Sequence, residues 1–338
     1  MIPLLKIDGD TLKNSLTTIK SITESKAIQS KEKFDFKSFE VENHSSKVAA
    51  VDGSNHSIPG VNFVIAALRS GYLIYQNGEI AEEKISKIRL ETLVNSNDDN
   101  LGFLKLYKEY FFDLTGEFPE DYLEFEKAAE RLRTIMEWKN ISELVEQLGR
   151  GDIIIFDGSF ISGAISTNKL FFETLVSKAK DKGISLMGLS KDTSLSIDSV
   201  PIPSILRDAA KVQAKNKNWY VYIEEEDTYF VKFTKEKDLI FRFDVVYPDD
   251  MSVEEVLSKV GAYAFSTRTL GYPFPMQRIH DEVRISQMDK ENCFSVLKNT
   301  WINQSNPHNS EELRKVISEF NELFFNYHKQ LDVMSSGR

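Results

Sequence analysis

Two aspartates in this sequence stand in the same local setting. Asp52 follows the apolar run Val48-Ala49-Ala50-Val51 and precedes Gly53-Ser54, while Asp157 follows Ile153-Ile154-Ile155-Phe156 and precedes Gly158-Ser159. Short apolar runs closed by turn residues read as strands, and open α/β sheets place ligands at the carboxyl ends of their strands. One Asp-Gly-Ser is ordinary turn chemistry, since Asp hydrogen-bonds nearby backbone and Gly accepts positive φ. Two of them after two buried strands imply more. Adjacent strand ends bring the carboxylates together, and like charges at close range require a cation or a shared proton.

Glu137 offers a third acid. Helical spacing places it on the face of Ile141, Leu144 and Leu148, which is the buried face of a long helix. Arg133, one turn earlier, is positioned for an ordinary ion pair with it, and Glu130 shares the face as the alternative acid. Either glutamate completes a set of hard oxygen donors suited to magnesium or manganese. Further along, Tyr272 and His280 bracket a segment with Pro273 and Pro275 in alternate positions. The prolines are expected to hold the backbone extended and delay a helix, leaving Tyr272 and His280 at the two ends of a stiff loop. Near a metal-bound phosphate, histidine ligates metal or assists proton transfer, and tyrosine hydrogen-bonds phosphate or orients water. Finally, Arg207, Lys211 and Lys215 recur every fourth residue and form a basic stripe on one helical face. Such a stripe is either solvated or a track for a nucleic-acid backbone.

The elements that position these residues follow α/β grammar. Residues 10–33 read as a helical arm with a loose connection to about residue 46. The strand Val48–Val51 ends in a turn at Asp52-Gly53-Ser54, and strands at Val61–Arg69 and Tyr72–Gln76 follow, with Ser70-Gly71 and Asn77-Gly78 as hairpin signals. Pro119 with Glu120 and Asp121 opens the long helix, which closes near Gly149 and Gly151. It leads into the Ile153–Phe156 strand, a helix over Lys169–Lys182 and a strand at Ile184–Leu189. A helix over Ser204–Lys217 precedes strands near Trp219–Ile223, Tyr229–Phe233 and Leu239–Val246, the first two joined by the acidic turn Glu224–Asp227. Helices near Ser252–Thr269 and Glu311–Gln330 complete the chain.

Composition narrows the chemistry. The chain has 338 residues and a net charge of −10, which argues against coating nucleic acid with the whole surface but leaves room for a local basic path. Its single cysteine, Cys293, excludes a disulfide framework and thiolate-bound zinc, and points to a reducing cytoplasm. No apolar run has membrane-spanning length, so no membrane association is expected. No Gly-x-x-x-x-Gly-Lys-Ser/Thr stretch is present, so a motor, where one is needed, must be another protein.

In this order, the first Asp-Gly-Ser, the helix glutamate, the second Asp-Gly-Ser and the Tyr-Pro-x-Pro segment leading to His280 resemble the NurA nuclease family, with the similarity running from about Val48 to beyond His280. The lysine in Leu189-Ser190-Lys191-Asp192-Thr193-Ser194 resembles one that follows the family's next strand. Phe160, Met276 and Ile279 depart from the leucine, leucine and alanine common at those places. The resemblance implies an α/β fold with an RNase H-like mixed central sheet flanked by helices. It divides the chain into a helical arm, 1–46, and a NurA-type nuclease domain, 47–338. It also implies a homodimeric, manganese-dependent DNA nuclease, with magnesium as the alternative ion. The expected activities are 5′-3′ exonuclease and single-strand endonuclease, exercised with a HerA-type hexameric translocase in DNA end processing or defence. Carried over by motif, Asp52, Glu137, Asp157 and His280 hold metal and Tyr272 supports them. Glu130 or Glu143 is the alternative alignment for the helix acid, and Lys191, Arg207, Lys211 and Lys215 are the expected DNA contacts. The competing readings are a non-catalytic DNA- or helicase-binding adaptor and an actin-like nucleotide-binding phosphotransferase.

Overall fold

The Val48–Val51 run begins a far longer strand than its turn-like ending suggests. In a computed structural model that describes residues 8–29, 33–96, 102–160, 168–197 and 200–324, helix α1 (Gly9–Gln29) and a short strand β1 (Lys37–Ser38) precede β2 (Val48–Pro59). Strand β2 runs unbroken through Asp52-Gly53-Ser54 and pairs antiparallel over all 12 residues with β3 (Phe63–Gln76). Ladder hydrogen bonds on this scale override the local turn preference of Asp-Gly-Ser. Ser70-Gly71, expected as a hairpin, likewise lies inside β3. Gly71 is there for close approach: a Cβ would come within 2.4 Å of the Lys84 carbonyl oxygen on β4 (Glu79–Ile85). The β3–β4 turn is made at Asn77-Gly78, whose φ values of 53° and 82° fit a tight hairpin. Strand β5 (Arg89–Val94) continues along the same edge of β3.

Helices α2 (Phe103–Thr115) and α3 (Ala128–Gln147) lead to β6 (Ile153–Asp157), α4 (Lys169–Asp181) and β7 (Ser185–Ser190). Helix α3 begins later than Pro119 suggests. Asp121 accepts a 2.7 Å hydrogen bond from the Tyr107 hydroxyl and meets Arg131 at 3.3 Å, so it ties α2 to α3 rather than opening a helix. The small ribbon β8 (Ser196–Ile197) and β9 (Val200–Pro201) precedes α5 (Ile202–Gln213). Then come β10 (Trp219–Ile223), β11 (Thr228–Lys232) and β12 (Phe241–Val246). The chain continues through α6 (Val253–Gly261), α7 (Phe274–Val283), α8 (Gln287–Ser305) and α9 (Ser310–Leu323).

Apart from the separate β8–β9 ribbon, these strands form one mixed sheet in the order β1-β10-β11-β12-β7-β6-β2-β3-β4, with β5 also on β3. Strands β2, β6 and β7 are mutually parallel and all other pairs are antiparallel. The stretch β4-β3-β2-β6-β7 is the RNase H-like core, and β12-β11-β10-β1 extend it as an antiparallel wing. Side chains alternate across the sheet. Val48, Ala50 and Ile155 pack under α6 and α7, whereas Ala49, Val51, Ile154 and Phe156 pack under α3 and α4. No helix among the described residues is long and apolar enough to cross a membrane.

Two late elements differ from expectation. Pro273 and Pro275 do not hold an extended segment through His280; they sit at the start of α7, with proline in its first turn, so His280 rides on a helix. Helix α6 stops at Gly261, and the residues before α7 form a series of turns in which the Phe274 amide donates to the Tyr263 carbonyl. Helix α8 leaves only a weak periodic mark in the sequence: Cys293 is its one buried residue, with Phe294 and Leu297 partly buried beside it.

Candidate active site

The parallel pairing of β2 with β6 ends at Val51 opposite Phe156, so the next residues, Asp52 and Asp157, share the carboxyl end of the parallel strands. Asp52 is 3% exposed; its Oδ1 accepts the Gly53 amide at 2.7 Å. Its Oδ2 lies 3.0 Å from Nδ1 of His280, on α7. A carboxylate only accepts, so Nδ1 carries the proton and proton transfer falls to Nε2. The hydrogen bond to Asp52 raises the His280 pKa above its ordinary value, against the opposing effect of burial. Asp157 closes β6 and meets the Lys191 ammonium at 2.8 Å.

Glu137 approaches from the opposite face of the sheet, and Gly53 admits it. A Cβ at Gly53 would lie 2.7 Å from Glu137 Oε1 and 3.1 Å from its Cγ, so no other residue fits there without displacing the carboxylate. Glu137 is 8% exposed, with Arg133 Nη1 at 3.5 Å, the ion pair that helical spacing suggested. Burial raises its pKa to about 8; Arg133 offsets part of this, while Asp52 and Asp157 add to it. The alternatives are elsewhere: Glu143 pairs with Lys84 and Glu130 is exposed.

Tyr272 is buried, and its hydroxyl has no hydrogen-bond partner among the described residues. Burial first, then Asp157 and Asp52, push its phenol above the ordinary range, which places it among the same charges. The Lys191 ammonium lies 5.5 Å from its ring centroid. Beside them a cleft of about 490 Å³ has Leu239 and Phe241 in its wall and Lys191, Lys237 and Arg268 as its basic residues.

The second Asp-Gly-Ser is held by residues that sequence reading missed. Ser159 Oγ donates to Asp244 Oδ2 at 2.6 Å, and the Phe160 amide reaches the same oxygen at 3.0 Å. Arg242 donates to Ser159 Oγ at 3.1 Å, to Asp244 Oδ1 at 3.2 Å and to Thr228 Oγ1 at 3.0 Å. Gly158 adopts φ 140°, and its carbonyl would lie 2.7 Å from a Cβ at Gly188. The turn after Asp157 is therefore pressed onto β7 and tied to β12.

The donor set fits a divalent cation in kind: three carboxylates of hard oxygens, with a buried hydroxyl lacking a partner nearby. Among the described residues no three His, Cys, Asp or Glu side chains already form a ligand cluster. Asp52, Asp157 and Glu137 turn instead to His280, Lys191 and Arg133, the arrangement expected of close carboxylates neutralised by basic neighbours. Arg207, Lys211 and Lys215 lie elsewhere, on α5 and just after it, around a separate cavity.

The NurA domain family model matches residues 46–285 of the chain. No curated protein matches it. Among solved structures, the crystal structure of the NurA nuclease from Sulfolobus solfataricus resembles this one with a TM-score of 0.57 at 15% identity, covering 89% of this chain and 99% of that one. A crystal structure of NurA with manganese gives a TM-score of 0.50 at 10% identity, covering 85% and 98%.

Proposed function

The chain belongs to the NurA family, and from that premise we propose that it is a metal-dependent DNA nuclease that hydrolyses phosphodiester bonds at Asp52, Glu137 and Asp157. The observation that supports this reading is that Asp52 and Asp157 follow neighbouring parallel strands at one sheet end, while Glu137 of α3 packs against Gly53, the residue next to Asp52. Manganese is the proposed ion, magnesium the alternative; a related NurA crystal structure contains manganese. Asp52, Asp157 and Glu137 would hold it, with His280 at its margin. When bound, the cation supplies Lewis-acid stabilisation of charge on the phosphoryl oxygens and acidifies water.

The chain's own residues account for the rest. Asp52 orients the His280 ring and leaves Nε2 to exchange a proton with water or the leaving oxygen. Lys191 is within reach of the charge at Asp157 and is the proposed contact for a non-bridging phosphate oxygen. Tyr272 offers a buried hydroxyl for which a phosphate or ordered water is the natural acceptor. Burial raises the Glu137 pKa to about 8 against the pull of Arg133, so a bound cation would compete there with a proton as well as with the Arg133 guanidinium.

The finer reading is a 5′-3′ exonuclease and single-strand endonuclease, homodimeric and cytoplasmic, that works with a HerA-type hexameric translocase in end processing or defence. The absence of an ATP-binding phosphate loop from the sequence supports a separate motor, and the acidic charge of the chain suits a nuclease that is fed DNA. Helix α1, with Leu12 and Leu16 exposed one turn apart, is the proposed docking arm. The deciding experiment incubates the purified protein with manganese and end-labelled single- and double-stranded DNA, beside Asp52→Asn and Asp157→Asn. Cleavage by the wild type and its loss in both variants is expected. Undiminished cleavage by both variants removes these residues from the mechanism.

A further inference from the structure

The α5 cations belong to a larger arrangement than a helical stripe. Arg207, Lys211 and Lys215 line a cavity of about 410 Å³ together with Lys232, Lys235 and Trp219. Three of these come from α5 and the residues just after it; Lys232 and Lys235 come from β11 and the loop that follows. A merely solvated helix face gives no reason for lysines of a second element to face the same hollow. Three acids oppose them: Asp238, 2.9 Å from Lys232; Asp208, 2.8 Å from Lys211; and Glu236, whose carboxyl is held below its ordinary range by a hydrogen bond from Thr234, helped by the charges of Lys235 and Lys232. The hydrogen bond from Lys232, and then the charges of Lys232, Arg207 and Lys211, hold the Asp238 carboxyl below its ordinary range. Five cations against three anions leave positive charge unmatched, in a chain whose net charge is −10.

One of these cations is itself buried, and the exposed ones stand around it. Lys232 is only 7% exposed, and charge interactions strengthen where water is displaced. Trp219, 1% exposed, carries an indole N–H with no acceptor among the described residues. A group that is anionic, rich in acceptors and small enough for the hollow answers each feature, and a phosphodiester is all three.

Topology relates the cavity to the acids. Trp219 opens β10 opposite Lys232 at the end of β11, and Val231 pairs with Phe241 at the start of β12. Strand β12 pairs antiparallel with β7, Arg242 opposite Ser190, so this end of the wing is also the end at which Asp157 leaves β6. Strand β11 lies three places from β6, roughly 14 Å at ordinary strand spacing. The loop between β11 and β12 separates the cavity from the cleft beside the acids: Lys235 and Asp238 line the cavity, Lys237 and Leu239 line the cleft with Lys191 and Tyr272.

The geometry points to a second phosphate site in this cavity, which grips a phosphodiester of the substrate strand a few nucleotides from the bond that is cut. It rests on the nuclease reading and gives that site a track: a single strand passes over the sheet end from the acids, across the Lys235–Leu239 loop, to Arg207 and Lys211. Its contribution is to affinity and is independent of base sequence.

The test measures binding without metal. Fluorescently labelled oligothymidylate is titrated into the full chain in EDTA at several salt concentrations, with wild type, the triple variant Lys211→Gln/Lys215→Gln/Lys235→Gln, and a control, Lys105→Gln/Lys169→Gln, on distant helices. All five substituted lysines are exposed, so folding is expected to survive, and circular dichroism checks it. The triple variant is expected to bind about tenfold more weakly. The slope of log K against log salt should shrink by about 0.7 for each phosphate that is no longer neutralised, while the control matches wild type. An unchanged slope in the triple variant, an equal weakening in the control, or no binding by wild type overturns the proposal. Manganese-dependent cleavage is assayed separately. Wild type that cuts DNA while the triple variant binds normally leaves the nuclease reading standing without this site. Wild type that binds through the cavity but never cuts leaves the site standing without the nuclease.

Discussion

Gly53 and Glu137 meet across the sheet: the space a Cβ would take at Gly53 is within 2.7 Å of the Glu137 carboxylate. Asp52 faces α7, whereas Glu137 packs from α3 against the opposite face of the same strand, at the adjoining residue Gly53.

Gly53→Ala is therefore expected to displace Glu137 while leaving the strand intact, since alanine is compatible with an extended backbone. A shift of about 1 Å at a catalytic group lowers rates on the order of 100-fold. Manganese-dependent cleavage by folded Gly53→Ala checks this, and wild-type activity would show that Glu137 need not approach Asp52 there.

A pH dependence follows from Glu137. Its pKa is raised in the fold to about 8, so between the ordinary carboxyl range and that value the folded protein keeps a proton that the unfolded chain has lost. Stability is then fully present at low pH and falls as pH rises towards 8, by up to about 1.4 kcal/mol per unit from this group. Thermal melts in EDTA should show Glu137→Gln growing more stable relative to wild type across that window. Parallel melting curves at every pH count against a buried, protonated Glu137.

Asp244 holds the turn that follows Asp157, and its proposed role is to position that carboxylate. It reaches the turn after Asp157 through Ser159 and the Phe160 amide, on β12 and away from Asp52 and Glu137. Asp244→Asn should lower manganese affinity or kcat by roughly ten- to hundred-fold, the usual effect of losing a group that orients a ligand. Isothermal titration with manganese separates this from general destabilisation: added metal at saturation should restore much of the rate if the defect is one of affinity.

Tyr272→Phe deletes a buried hydroxyl that has no partner among the described residues. Stability should hold or rise by about 1 kcal/mol, because an unsatisfied polar group is removed, while DNA cleavage falls. A drop in stability together with full cleavage would make Tyr272 a packing residue only.

The placement of the candidate residues is largely legible in the sequence because buried strands and a buried helix face leave strong periodic marks. Val48–Val51, Ile153–Phe156 and the Ile141, Leu144, Leu148 face fix where Asp52, Asp157 and Glu137 have to lie. Where structure and sequence pattern part, the causes are physical. Asp-Gly-Ser at residue 52 looks like a turn by propensity, but twelve residues of pairing with β3 keep it extended. Pro273 and Pro275 suggest an extended segment, yet proline also suits a first helical turn, where the missing amide costs nothing. Asp244 leaves no sign in the sequence, because its partner Ser159 is 85 residues away and only the fold brings them together. Lys232 is equally silent beside the α5 stripe, since strand alternation does not announce a buried cation.

The uninterrupted course of β2 has a consequence for how this chain tolerates change. Because side chains alternate along a strand, deleting or inserting a single residue between Val48 and Asp52 would swing the Asp52 carboxylate from the His280 side to the Trp138 side. The spacing of that stretch is thus held as firmly as its chemistry: a conservative exchange of one aliphatic residue for another is absorbed, and a frame-preserving loss of one codon is not.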